Sequence, residues 1–122
     1  HGRANAMLLP HIIEFNSDIH KNSKSQKEYL PAVKKYSTIA QILGLSSYNK
    51  VMSVRSLIQW IQFMNQDMKI PARISEIGTI SVNDYMSKVE VMAEAALADA
   101  CTATNPRTPD KEAIMQIYRN LW

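Results

Sequence analysis

The side chains in this 122-residue chain best suited to chemistry are three histidines, His1, His11 and His20, and one cysteine, Cys101. An imidazole can ligate a divalent metal or move a proton near neutral pH. A thiolate can serve as nucleophile or soft ligand. Spacing alone assembles no site from them. The histidines show no compact ligand pattern, and a catalytic metal usually takes three protein ligands. The chain has no GxGxxG, no P-loop, no HExxH and no cysteine pair. His1 alone, or paired with distant carboxylates, is a weak metal site. His11 falls on an apolar stretch and reads as a packed or boundary histidine. His20 falls in polar sequence and reads as surface.

These groups must be held by a body of ordinary globular composition, 46% apolar and 20% charged. The length suits one domain that buries roughly two-thirds of its unfolded surface. No apolar run approaches the ~20 residues of a membrane span. The start does not read as a signal peptide, because Pro10, His11 and Glu14 interrupt its apolar stretch. A lone cysteine makes no intrachain disulfide, which fits a reducing, cytoplasmic compartment. The formal charge is only +3, and the cations are spread along the chain, interleaved with acids in its second half. That pattern suits a solvated surface better than a nucleic-acid patch. No membrane or nucleic-acid partner is expected.

The periodicity predicts an all-α helical bundle. Residues 3–16 are almost continuously apolar and read as a helix buried on most sides, kinked where Pro10 removes a donor. A second helix is expected over 26–43, with Tyr29, Val33, Tyr36, Ala40 and Leu43 on one face, Pro31 near its start and Gly44 as its stop. A third, over 51–68, carries Val54, Leu57, Ile58, Ile61, Met64 and Met68. Residues 72–77 suit a turn or two before Gly78. Ser81 to Asp84 resembles a capping box for a long helix whose stripe runs from Val82 through Met86, Val89, Ala93 and Leu97 to Ala100. Thr108-Pro109-Asp110 opens the last helix, with the proline at its first position. No strand alternation and no internal repeat are found.

Two stretches carry more information than composition does. The opening His1-Gly2-Arg3-Ala4-Asn5-Ala6-Met7-Leu8-Leu9-Pro10-His11 resembles the Pro-His-Gly-x-Ala-Asn entry to the first long C-terminal helix of the iron-containing alcohol dehydrogenases. Near the other end, Ala96 to Arg107 (ALADACTATNPR) resembles the same family's approach to its terminal helix. Between them, Lys35-Tyr36-Ser37-Thr38-Ile39-Ala40 with Leu43-Gly44 keeps step. So does Lys69-Ile70-Pro71 with Glu76-Ile77-Gly78, where Lys69 stands in place of the usual glycine. The resemblance covers essentially the whole chain.

The resemblance implies that residues 1–122 form one helical C-terminal domain, in the dehydroquinate synthase-like arrangement, with the α/β cofactor domain absent. It implies that His1 is a metal ligand, its companions being an aspartate and two histidines upstream; the bland alternative is a tag remnant. It puts Cys101 on the cleft wall near the nicotinamide, with a small buried core residue as the open alternative. Asn105-Pro106-Arg107 would shape the turn between the last two helices. The complete enzyme would use Fe²⁺ or another divalent metal and NAD(P) to interconvert a small alcohol and its aldehyde. This chain alone is expected to bind neither tightly and to be inactive. The missing domain, or a second copy in a homo-oligomer, would cover its apolar face. The competing class is a non-catalytic helical interaction or nucleic-acid-binding module.

Overall fold

Capping chemistry sets where the helices begin and end. The computed structural model describes residues 1–19, 30–45 and 47–122, and among them there are five α-helices, two short 3-10 turns and no strand. The helices are α1 (Gly2–Ser17), α2 (Pro31–Ile42), α3 (Lys50–Asp67), α4 (Val82–Ala98) and α5 (Lys111–Asn120). The 3-10 turns are Ile74–Ile77 and Ala100–Thr104. Side-chain oxygens of Asn49, Ser81 and Asp110 accept the backbone N–H of Met52, Asp84 and Ala113, so α3, α4 and α5 each start on a satisfied donor. Ser81 Oγ also donates to Asp84 Oδ2 at 2.6 Å, a side-chain bond that stands where a full capping box would have Asp84 accept the Ser81 backbone N–H.

Two helices stop with the same backbone device. Gly44, at φ 72°, donates to the Gln41 carbonyl while Leu45 N–H reaches back to the Ala40 carbonyl. Lys69, at φ 57°, donates to Gln66 while Ile70 N–H reaches Asn65. Both are Schellman endings, which satisfy the last carbonyls by turning one residue left-handed. Glycine does this freely; lysine does it against its own Cβ.

The core has two parts. Ile13, Ile19, Val33, Val51 and Val54 form a buried cluster where α1 and α2 meet the first half of α3, with Leu30, Tyr36, Ile58 and Ile61 packed against it. Each such aliphatic side chain contributes about 1.5–3 kcal/mol of transfer free energy. The second part buries Tyr85, Val89 and Ala93 of α4 together with Ile114 of α5. Lys111 Nζ clasps Glu90 and Glu94 across these two helices at 2.6 and 2.7 Å, which pushes the Lys111 ammonium up to about 12. All of this clasp is at the surface, where such pairs add little.

Several expectations need correction. The first helix is not buried on most sides: Met7, Pro10, Ile13, Asn16 and Ser17 are covered, a single stripe, while Ala4 and Leu9 are exposed. The α3 stripe is covered only as far as Ile61, which is already half-buried, while Met64 and Met68 are exposed. On α4, Val82, Met86 and Leu97 are likewise exposed. Its helix ends at Ala98 rather than running through Ala100, since Asp99 turns extended and caps the next turn. Pro109 stands before the Asp110 cap, not at the first helical position. The expected start of the second helix at 26, Tyr29 on its face, and His20 lie outside the described residues.

Replacing Lys69 by glycine removes the left-handed penalty, roughly 1–2 kcal/mol, but adds the backbone entropy loss of glycine, roughly 0.5–1 kcal/mol. Lys69→Gly is therefore expected to stabilise the chain by about 0.5–1 kcal/mol. Urea unfolding checks it, and an unchanged or lower midpoint contradicts the strain argument.

Candidate functional site

Helical spacing puts His1, Asn5, Leu8, Ile12 and Phe15 on one face of α1. That face is one wall of an open groove of about 700 Å³. The opposite wall is the segment around the second 3-10 turn, with Asp99, Cys101, Thr102 and Asn105, and Ile114 and Ile117 of α5 line the groove as well. His1 and Cys101, the two residues singled out from the sequence, thus border the same space. His11 does not; it lines grooves on other sides of α1.

His1 is exposed at the N-cap of α1. Its carbonyl accepts the Asn5 N–H at 3.1 Å, while its side chain makes no capping bond. Among the described residues no three His, Cys, Asp or Glu side chains come together in a way that could hold a metal ion. His1 belongs to no such group among them.

Cys101 is held through its backbone. Asp99 Oδ1 accepts its N–H at 2.7 Å, and its carbonyl accepts the Thr104 hydroxyl at 2.7 Å. Thr102 Oγ1 donates to the Ala96 carbonyl at 2.5 Å, tying the turn to the end of α4. The thiol is free and the residue exposed, so the reading of Cys101 as a small core residue is set aside.

At one end of the groove the two walls are bonded. Asn105 Nδ2 donates to Asn16 Oδ1 at 2.7 Å, and Asn16 Nδ2 returns a bond to Asn105 Oδ1 at 3.2 Å. Asn16 is buried and also reaches the Tyr36 hydroxyl at 3.2 Å. Arg107 donates to the Phe15 carbonyl at 2.7 Å, stacks over the Phe15 ring at 4.2 Å and lies 3.5 Å from Asp18. The Asn-Pro-Arg turn does shape the link between α4 and α5, as expected. Its bonds to α1 are not foreseen by the sequence reading, where residue 16 is only the end of the first apolar stretch; an asparagine closing such a stretch is the one signal that could flag them.

All 122 residues, 1–122, match the model of the Fe-containing alcohol dehydrogenase family, C-terminal. An NADPH-dependent butanol dehydrogenase from Clostridium saccharobutylicum is 33% identical over 118 residues, 97% of this chain and 27% of that protein. A 1-propanol dehydrogenase from Salmonella typhimurium is 30% identical over 123 residues, 99% of this chain and 30% of that protein. The lactaldehyde reductase of Escherichia coli is 28% identical over 124 residues, 100% of this chain and 28% of that protein. The chain spans less than a third of the length of these curated relatives.

Burial lowers the affinity of His11 for a proton and outweighs the opposing Glu14 carboxylate. The fold thus favours the neutral ring, and the unfolded chain takes up the proton first as pH falls below about 6.5. Stability that is present above that pH is lost as pH drops toward the lower folded-state value. His11→Gln should flatten part of the fall in urea midpoint between pH 7.5 and 5.5. An identical fall in the variant contradicts this assignment.

Proposed function

This chain belongs to the Fe-containing alcohol dehydrogenase family as its C-terminal part, and we propose that it supplies one wall and one metal ligand of the cleft where an alcohol and its aldehyde interconvert. The observation that carries the reading is the shared groove: His1 and Cys101, about a hundred residues apart in sequence, border one space. When bound, a divalent metal such as Fe²⁺ polarises the substrate oxygen and NAD(P) exchanges the hydride.

His1 would hold the metal through the lone pair of its neutral imidazole. The remaining ligands come from the part of the protein before His1. Leu8, Ile12, Ile114 and Ile117 give the groove an apolar lining that suits a nicotinamide face and the short hydrocarbon of a small alcohol. Cys101 stands on the wall beside that lining, its backbone clamped by Asp99 and Thr104. Relatives named for butanol and 1-propanol support a small alcohol as substrate. The single cysteine supports a cytoplasmic setting, and among the described residues no helix is long and apolar enough to cross a membrane.

In the full-length enzyme, His1→Ala should weaken metal retention by at least the 10–100-fold typical of losing even an outer-shell partner. Metal content after dialysis against a chelator reads this out, and wild-type content in the variant overturns the ligand assignment. The 122 residues by themselves should fold as helices yet oxidise no alcohol with NAD⁺ or NADP⁺, since neither cofactor nor metal is positioned. Steady-state turnover by the pure chain, abolished by His1→Ala, would contradict that division of labour.

A further inference from the structure

The groove has walls on two bodies, and few bonds join them. One wall, α1, is fixed to α3 by packing and by Asn65 Nδ2 donating to the Ala6 carbonyl at 2.8 Å. The other wall belongs to α4, the Asn-Pro-Arg turn and α5, with Lys111 holding α5 to α4. Ties between the bodies include two sets of bonds. One is the cluster of Asn16, Asn105, Arg107 and Phe15. The other lies at the end of α5, where Ile74 N–H donates to the Leu121 carbonyl at 2.9 Å and Ser75 Oγ to the Trp122 carbonyl at 2.6 Å.

We propose that the Asn16–Asn105 amide pair is a positioning element for the dehydrogenase reaction, setting how far the wall bearing Cys101 stands from the helix bearing His1. The inference rests on the alcohol dehydrogenase reading of the groove. Two antiparallel amide bonds fix an angle as well as a distance, which a single bond does not. Asn105 Nδ2 also donates to the Arg107 carbonyl at 2.5 Å, so the same side chain seats the guanidinium against Phe15. Without the pair, the Arg107 contacts with Phe15 and Asp18 and the bonds at Leu121 and Trp122 remain, but nothing reciprocal fixes the angle between the walls at that end. The lever is long. From Asn16 to His1 is about 22 Å along α1, so a tilt of roughly 3° at the amide pair shifts the opposing wall by about 1 Å at the His1 end. A misplacement of that size can lower turnover on the order of a hundredfold. Neither asparagine need touch substrate; both act through the residues they align.

The test uses the full-length enzyme and four variants: Asn16→Ala, Asn105→Ala, the double variant, and Asn105→Asp, which keeps an acceptor for the Asn16 amide but loses the donor. The readouts are kcat and KM for 1-butanol with NAD⁺ and with NADP⁺, metal content, and amide hydrogen exchange. Each alanine variant should lose roughly 10- to 100-fold in kcat with KM little changed and metal retained. The double variant should be no worse than the poorer single one, because the two side chains act as a unit. Asn105→Asp should fall between. Exchange should quicken in residues 2–17 and 99–107 and not in α3. Wild-type kcat in folded variants, or losses that multiply in the double variant, overturns the proposal. Should Asn105→Ala fail to fold, Asn105→Asp decides by the same criteria. Should the parent enzyme oxidise no alcohol, the dehydrogenase reading fails, and exchange alone decides: selective quickening supports the positioning role, and uniform or unchanged exchange overturns it.

Discussion

A buried polar clasp holds this fold's working surface together. The α1 to α3 core is aliphatic and self-sufficient in kind, and α4 with α5 makes a second, smaller packed unit. Neither unit by itself encloses the groove. They meet through Asn16, Asn105 and Arg107, where each buried or half-buried polar group finds a named partner. In a low-dielectric setting such bonds are directional, and leaving one partner unmatched costs about 1–3 kcal/mol. Apolar packing tolerates sliding by fractions of an ångström; a reciprocal amide pair does not. Polarity here specifies an arrangement that hydrophobic burial alone would leave loose.

The elements and most of their ends were legible in the sequence because local chemistry decides them. Ser81 and Asp84, Pro31, Gly44 and Gly78 each perform the role that their side chain, or lack of one, makes easiest. The departures also have local causes. Asp99 competes for a backbone N–H and splits what periodicity reads as one helix. Asp110 takes the cap, so Pro109, expected as the first helical residue, stands outside the helix. Exposure was harder to read. Periodicity identifies an apolar stripe but not its cover, so Met64, Met68, Met86 and Leu97 look like core in one dimension and lie outside it in three.

The candidate site was legible through resemblance, not through spacing. Nothing about His1 and Cys101 as residue types brings them together; the matching opening and closing stretches do. What neither route revealed was the bonding between Asn16 and Asn105. Eighty-nine positions separate them, and no periodicity links residues at that range.

That separation has a consequence for how the molecule assembles. Helices α1 to α3, and α4 with α5, are built mainly from contacts between neighbours in sequence, which form quickly because little chain must be closed. The bonds from 16 to 105, from 15 to 107 and from 74 to 121 close much longer loops. They reward the chain only after both units exist. Losing those few long-range bonds would open the groove while leaving the backbone bonds within each helix in place. Helix content, as circular dichroism reads it, is therefore a poor gauge of whether the two walls of the groove still face each other.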